Sequence, residues 1–180
     1  MNLINQFRHR FFIFRAELLA YKTYRNYLFQ KYSSPKKKSG NSLNSVLHIN
    51  TFDTGGGAAK IANDLYSYQN SHSIKSFMMV GKKKLKDDSI IELVPLNTRQ
   101  QHFLSTAQEE LQWQDFFYMS SLEIADHDVF KKSDIIHFHN LHSGFFSPFA
   151  IPLLSNKKPV VWILHDMHAL TGHCAHSFEC

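Results

Sequence analysis

Three short polar segments carry the residue types that do chemistry. The first, Thr54-Gly55-Gly56-Gly57, follows the apolar run Val46–Ile49 and precedes a helix-like stretch. Successive glycines let the backbone approach a ligand, and a helix N-terminus offers unpaired N–H groups and a positive dipole end to a phosphate. The segment is not a P-loop, because no Gly-Lys-Ser/Thr follows. Nor does it complete G-x-G-x-x-G, since Lys60 stands at the third glycine position, and Lys82 closes the second strand where a dinucleotide binder shows an acidic residue. A tight strand-to-helix turn without a ligand is the plainer alternative for this segment taken alone.

The second segment is His137, His139, Asn140 and His142, leading to Gly144. Residues two apart on a strand share a face, so His137 and His139 can flank one crevice. The third is His165-Asp166, directly after the apolar run PVVWIL. A His beside an Asp at a strand end can bind a sugar or phosphate, or stabilise developing charge. Any one of the twelve histidines is better explained by a structural role; the case rests on where the set falls. His165, His168, His173, Cys174, His176 and Cys180 also raise a metal reading, but neither C-x-x-C nor H-E-x-x-H is present. The expectation is no metal.

These segments need elements to hold them. From Ser45 onward the text alternates between strand and helix: a strand at Val46–Ile49, a helix with Ala58, Ile61, Ala62 and Leu65 on one face, a strand at Ile74–Val80 and another at Ile90–Val94. Residues 99–118 read as mostly helical and 120–131 as a short acidic helical stretch. A strand at Asp134–His139, a helix at Ser147–Leu154 and a strand at Pro159–Leu164 follow. Alternation with near-continuous apolar strands predicts an α/β fold, a Rossmann-like parallel sheet with helices on both faces. In such a sheet ligands bind at the carboxyl ends of the strands, where all three polar segments fall.

Residues 1–32 predict an aromatic amphipathic helix, with Ile4, Phe7, Phe11, Phe14, Leu18, Tyr21 and Leu28 on one stripe and Arg8, Arg10, Arg15, Lys22 and Lys31 largely off it. Such a helix can lie on an anionic membrane surface, but packing on its own domain or on a partner is the plainer expectation. Residues 33–44 read as a polar linker, and residues 45–180 as the body. The net charge of +5 is uneven: residues 1–44 hold nine basic side chains and one acidic, whereas the body is slightly acidic. That argues against a nucleic-acid partner. Both cysteines lie within the last seven of the 180 residues, which excludes a disulfide framework. Arginines interrupt every early apolar stretch, so no signal peptide is visible and the longest run, Phe11–Phe14, is far below the ~20 residues of a membrane span. The expected location is the cytoplasm, with a peripheral place on the inner face of the membrane, through residues 1–32, as the alternative.

The stretches VLHINTFDTGGGAAKIANDLY, MMVGKKK, SDIIHFHNLHSGFFS and KKPVVWILHDMHALTGHCAHSFEC occur in that order and strand context. Together they resemble family 4 glycosyltransferases of the GT-B type, in the bacterial branch that builds exopolysaccharide and colanic-acid-type glycans. The resemblance covers most of residues 45–180 and none of residues 1–44. It implies the N-terminal, acceptor-side domain of a retaining hexosyltransferase, which uses a nucleotide-sugar donor and a glycan or lipid-linked acceptor and needs no cofactor or metal. It places Gly55, Gly56 and Gly57 near the donor diphosphate, His165 and Asp166 at the catalytic centre, and His139, Asn140 and His142 on the acceptor side.

Family members continue beyond the position of Cys180 into a donor domain carrying a Lys and a Glu-rich motif. The resemblance therefore implies a fragment, a truncated reading frame or one piece of a split enzyme, inactive without its other half and exposing apolar surface where that half would pack. Relatives often carry more cysteines just past this point, which makes Cys174 and Cys180 look like the start of an interrupted cluster. Met167-His168-Ala169 replaces an aromatic that is common after the His-Asp pair. Two other readings are a non-catalytic membrane-associating module led by residues 1–32 and a nucleotide-binding oxidoreductase, the latter disfavoured by Lys60.

Overall fold

The computed structural model describes residues 43–93, 118–172 and 174–176, with isolated positions 11, 15, 22, 106, 108, 110, 113, 115 and 116. Of the helix expected over residues 1–32, the described Phe11, Arg15 and Lys22 are helical. The rest of that segment and most of the linker lie outside the described residues. So do Val94, most of 99–118, His173 and Cys180.

Five parallel strands form one sheet: β1 (Ser45–Phe52), β2 (Lys75–Lys82), β3 (Ile90–Glu92), β4 (Ile135–Phe138) and β5 (Val160–Trp162). Their order is β3-β2-β1-β4-β5, that of a doubly wound, Rossmann-like α/β sheet whose chain direction of growth reverses between β1 and β4. The central strand β1 is buried from Ser45 to Thr51, as expected for a strand covered on both faces.

Helix α1 (Gly57–Ser71) covers one face. Ala62 and Tyr66 pack there with Met78, Val80 and Ile90. On the other face a 3₁₀ helix (Met119–Asp126), α2 (Asp128–Lys132) and α3 (Ala150–Ser155) supply Ile124, Phe130, Ala150 and Leu154. These join Leu47, Ile49, Met79, Ile136, Phe138 and Phe146 in the main core. A short α4 (His168–Thr171) follows β5. Among the described residues, no helix is long and apolar enough to cross a membrane.

The strands depart little from the sequence reading; the helices depart more. The face of α1 is rolled: Ala59, Ala62 and Tyr66 are buried, whereas Ile61 is 45% exposed and Ala58 and Leu65 are only half-buried. Polar anchors set the roll. The Tyr66 hydroxyl bonds Ser89 Oγ and lies 3.3 Å from Asp87 Oδ2, and Gln69 reaches under the helix to His48. The expected acidic helix at 120–131 divides into a 3₁₀ turn and α2. The helix expected from Ser147 begins at Ala150, because Ser147 is committed elsewhere. Its N–H donates to Ser121 Oγ at 2.9 Å and its hydroxyl donates to Phe116 O at 2.8 Å.

At one level a row of side chains crosses all five strands on the α1 face: Ile90, Met78, His48, His137 and Val161 are successive register partners. Burial falls along the row, from fully buried Met78 and His48 beside α1 to Val161, which is 47% exposed. The histidines therefore sit where the covered half of this face gives way to the open half.

Candidate functional site

The loop after β1 needs glycine. Gly55 and Gly56 have φ of 90° and 95°, in the left-handed region that side chains make costly. They carry the chain from β1 into the first turn of α1, where Lys60 N–H donates to Gly56 O at 3.0 Å. Gly55, Gly56 and Gly57 are all exposed. Buried Asp53 holds the neighbouring β2–β3 loop by accepting from the backbone N–H groups of Lys84, at 2.8 Å, and Leu85, at 2.7 Å. This brings the Lys84 ammonium to the glycine loop, 5.2 Å from the centre of the Phe52 ring.

The end of β1 fastens the segment that leaves β4. Asn50 Oδ1 accepts from Asn140 N–H at 3.1 Å, and the Thr51 hydroxyl lies 3.0 Å from the carbonyl oxygens of both Asn140 and His142. The Trp162 indole of β5 donates to His139 O at 2.8 Å. These bonds fix His139, Asn140 and His142 over the carboxyl ends of β1 and β4, where the sheet order reverses.

Two side-chain pairs then join β4 to the segment after β5. His142 Nε2 is 2.8 Å from Asp166 Oδ2, and Asp166 Oδ1 accepts the His168 N–H at 2.9 Å. Burial raises the Asp166 pKa, but the hydrogen bonds from His142 and His168 and their charges outweigh it, so the carboxyl is held below the usual range. The other pair belongs to a chain of imidazoles. His165 Nε2 lies 3.0 Å from His139 Nδ1, His139 Nε2 lies 3.0 Å from His48 Nδ1, and His48 Nε2 lies 2.8 Å from Gln69 Oε1.

One set of tautomers satisfies the whole chain. The Gln69 carbonyl oxygen only accepts, so His48 donates from Nε2 and accepts at Nδ1. His139 then donates to His48 from Nε2 and accepts from His165 at Nδ1. A directed relay therefore runs from partly exposed His165 to fully buried His48 under α1. Its members are kept neutral. Burial lowers the His48 pKa to about 4, assisted by His137 and opposed by the Gln69 hydrogen bond. Burial, with the repulsion of His137, His48 and His165, lowers that of His139 to about 2. Burial also lowers His165, partly offset by the Asp166 charge.

The structure thus brings together His139 with His165, and His142 with Asp166. Gly55, Gly56 and Gly57 stand at the same edge of the sheet beside Lys84. His137 and His139 do share a face, with ring centroids 4.6 Å apart. Sequence reasoning missed His48, which reads as one residue of an ordinary strand, and Gln69, which reads as solvent-facing helix. It also missed buried Asp115, whose Oδ1 accepts the Gly144 N–H at 3.0 Å and whose φ is 61°. Burial raises the Asp115 pKa against the opposing Gly144 hydrogen bond and the nearby His168 and His142. Left-handed backbone at an aspartate has no signal that a single sequence displays.

One ring nitrogen from each of His48, His137 and His139 lies within 4.8 Å of the others, a grouping that could hold a metal ion. Cys174 lies apart from this grouping, its backbone N–H and carbonyl both bonded to the Thr171 hydroxyl. Compared with family models, curated proteins and solved structures, the chain finds no match in any of the three.

Proposed function

We propose that this chain is the acceptor-side part of a retaining glycosyltransferase, which transfers a sugar from a nucleotide-sugar to a glycan or lipid-linked acceptor in surface-polysaccharide synthesis. The observation that carries the reading is the gathering of its polar segments at one edge. The glycine loop after β1, His139-Asn140 and His142 after β4, and His165-Asp166 after β5 surround the point where the strand order reverses. Ligands of doubly wound sheets bind in that crevice.

In this reading the exposed backbone of Gly55, Gly56 and Gly57, the N-terminus of α1 and the Lys84 ammonium receive the negative charge of the donor diphosphate. Neutral His165 hydrogen-bonds a sugar hydroxyl through Nδ1. The Asp166 carboxylate, steadied by His142, faces positive charge developing at the transferred carbon. A donor-binding domain facing this one closes the cleft and excludes water. The basic, aromatic residues 1–32 hold the enzyme to the inner face of the membrane.

Binding is therefore the test suited to this chain. A diazirine-bearing lipid-diphosphate monosaccharide, irradiated with the protein in membranes, is expected to label peptides containing residues 139–142 and 165–168. Excess unlabelled lipid-diphosphate monosaccharide should suppress that labelling. Label confined to the outer face of α1, or label that the competitor leaves unchanged, overturns the assignment.

A further inference from the structure

We propose that His48, His137 and His139 form a binding site for a divalent transition metal of the Zn²⁺ class, set into the α1 face of the sheet where its burial falls away. The proposal is independent of the glycosyl-transfer reading.

The ligand set comes from the register of the sheet. His48 of β1 and His137 of β4 are direct register partners, and His139 stands two residues beyond His137 on the same face. All three imidazoles thus converge from the two central strands, with ring centroids 4.6 to 5.3 Å apart. One ring nitrogen of each lies within 4.8 Å of the others. A tetrahedral ion with bonds of about 2.0–2.1 Å places its ligand nitrogens roughly 3.3 Å apart. His48 Nδ1 and His139 Nε2 are 3.0 Å apart, close to that spacing, and a His137 ring nitrogen lies within 4.8 Å of the group.

The outward nitrogens are also provided for. Metal-binding imidazoles ordinarily use the second nitrogen to hold a hydrogen-bond partner that fixes ring and tautomer. His48 Nε2 has Gln69 Oε1, and His139 Nδ1 has His165 Nε2. His137 supplies a second, independent indication: its Nε2 is buried with no hydrogen-bond partner among the described residues. Such an atom costs free energy unless something fills its lone pair. Burial lowers the pKa of all three rings, so they are neutral and ready to coordinate at pH 7.

The chemistry of the set selects the ion. Three imidazoles without a carboxylate or thiolate suit Zn²⁺, Co²⁺, Ni²⁺ or Cu²⁺ rather than Mg²⁺ or Ca²⁺, which take oxygen. Binding also has a definite internal consequence. His139 must free Nε2, so its proton moves to Nδ1 and it donates to His165 Nε2, reversing that hydrogen bond. His165 then carries its own proton on Nδ1. No net proton leaves the three neutral rings.

The full chain, stripped with EDTA, should bind one Zn²⁺ or Co²⁺ at this site. Bound Co²⁺ should show the intense visible absorption of tetrahedral coordination. Zinc-edge X-ray absorption should show a nitrogen shell with imidazole scattering and no sulfur at the longer Zn–S distance. His137→Ala removes no side-chain hydrogen bond present among the described residues and should weaken zinc binding by about 100-fold or more, whereas His72→Ala on the exposed end of α1 should leave it unchanged. Weak octahedral cobalt absorption, a sulfur shell from the Cys174 region, or equal affinity in wild type and His137→Ala overturns the site. The spectra of the wild-type chain decide the matter even if His137→Ala does not fold.

Discussion

Acidification of the metal-free chain from pH 7.5 to about pH 5 is expected to cost the fold about 4 kcal/mol of stability, the largest effect of solution conditions the site implies. The cause is the pair of buried imidazoles, His48 with its pKa lowered to about 4 and His139 with its pKa lowered to about 2. In the unfolded chain each returns to about 6.5. Below that value the unfolded state takes up protons that the folded state refuses, so stability falls as pH falls and is fully present above about pH 6.5. At pH 5 each group is about 1.5 units below its unfolded midpoint, equivalent to roughly 2 kcal/mol. His137 and His165 are lowered as well and act in the same direction. Asp166 and Asp87, lowered from ordinary carboxylate values, lose their contribution only at more acid pH. Urea unfolding followed by far-ultraviolet circular dichroism at the two pH values measures the difference. An unchanged midpoint would show that the imidazoles are not held neutral in the fold.

Substituting Gly81 by alanine should destabilise the protein by about 3 kcal/mol through overpacking. Gly81 lies near the end of β2, and a methyl group there would stand 2.5 Å from Phe145 Cβ and 2.9 Å from Cδ1, with Cγ closer still. Phe145 cannot simply swing away. It is 5% exposed and packs in the main core with Leu141 and Phe146, and one of the close contacts is with its own Cβ, which moves only with the backbone. The double variant separates this contact from a general intolerance of the strand. Phe145→Ala alone should cost about 3–4 kcal/mol as a large-to-small core change, but it removes the obstruction. Gly81→Ala combined with Phe145→Ala should therefore cost clearly less than the sum of the two single changes. Strict additivity, or a Gly81→Ala penalty below about 0.5 kcal/mol, would mean that β2 and the segment after β4 are not so closely apposed.

The strands were legible because their apolar runs continue without alternation, the mark of a sheet covered on both faces. β1 extends further than its apolar text, since Asn50 and Thr51 spend their side chains fastening the β4 segment while their backbone stays in register with β2. The face of α1 was less legible. The expected face holds Ala58, Ile61, Ala62 and Leu65 and the observed one Ala59, Ala62 and Tyr66; they share Ala62, and periodicity alone does not choose between them. The hydroxyl of Tyr66 and the amide of Gln69 choose, through partners 23 and 21 residues away. The same reason hid half of the imidazole chain. His137 and His139 are linked by a period of two that the sequence displays, but His48 joins His139 across 91 residues, and only the strand order brings them together.

Whether the edge formed by His139, His142, His165 and Asp166 serves sugar transfer is read out in cells that make this protein with its natural companions. Isotope-labelled sugar entering through the nucleotide-sugar pool is followed into lipid-linked and polymeric surface glycan, with Asp166→Ala or His165→Ala introduced at the chromosomal locus. Protein abundance is checked by immunoblot. Incorporation should fall by about 100-fold in each variant at normal protein level, the scale expected when a group that stabilises developing charge is removed. Wild-type incorporation in both variants would contradict a role in sugar transfer.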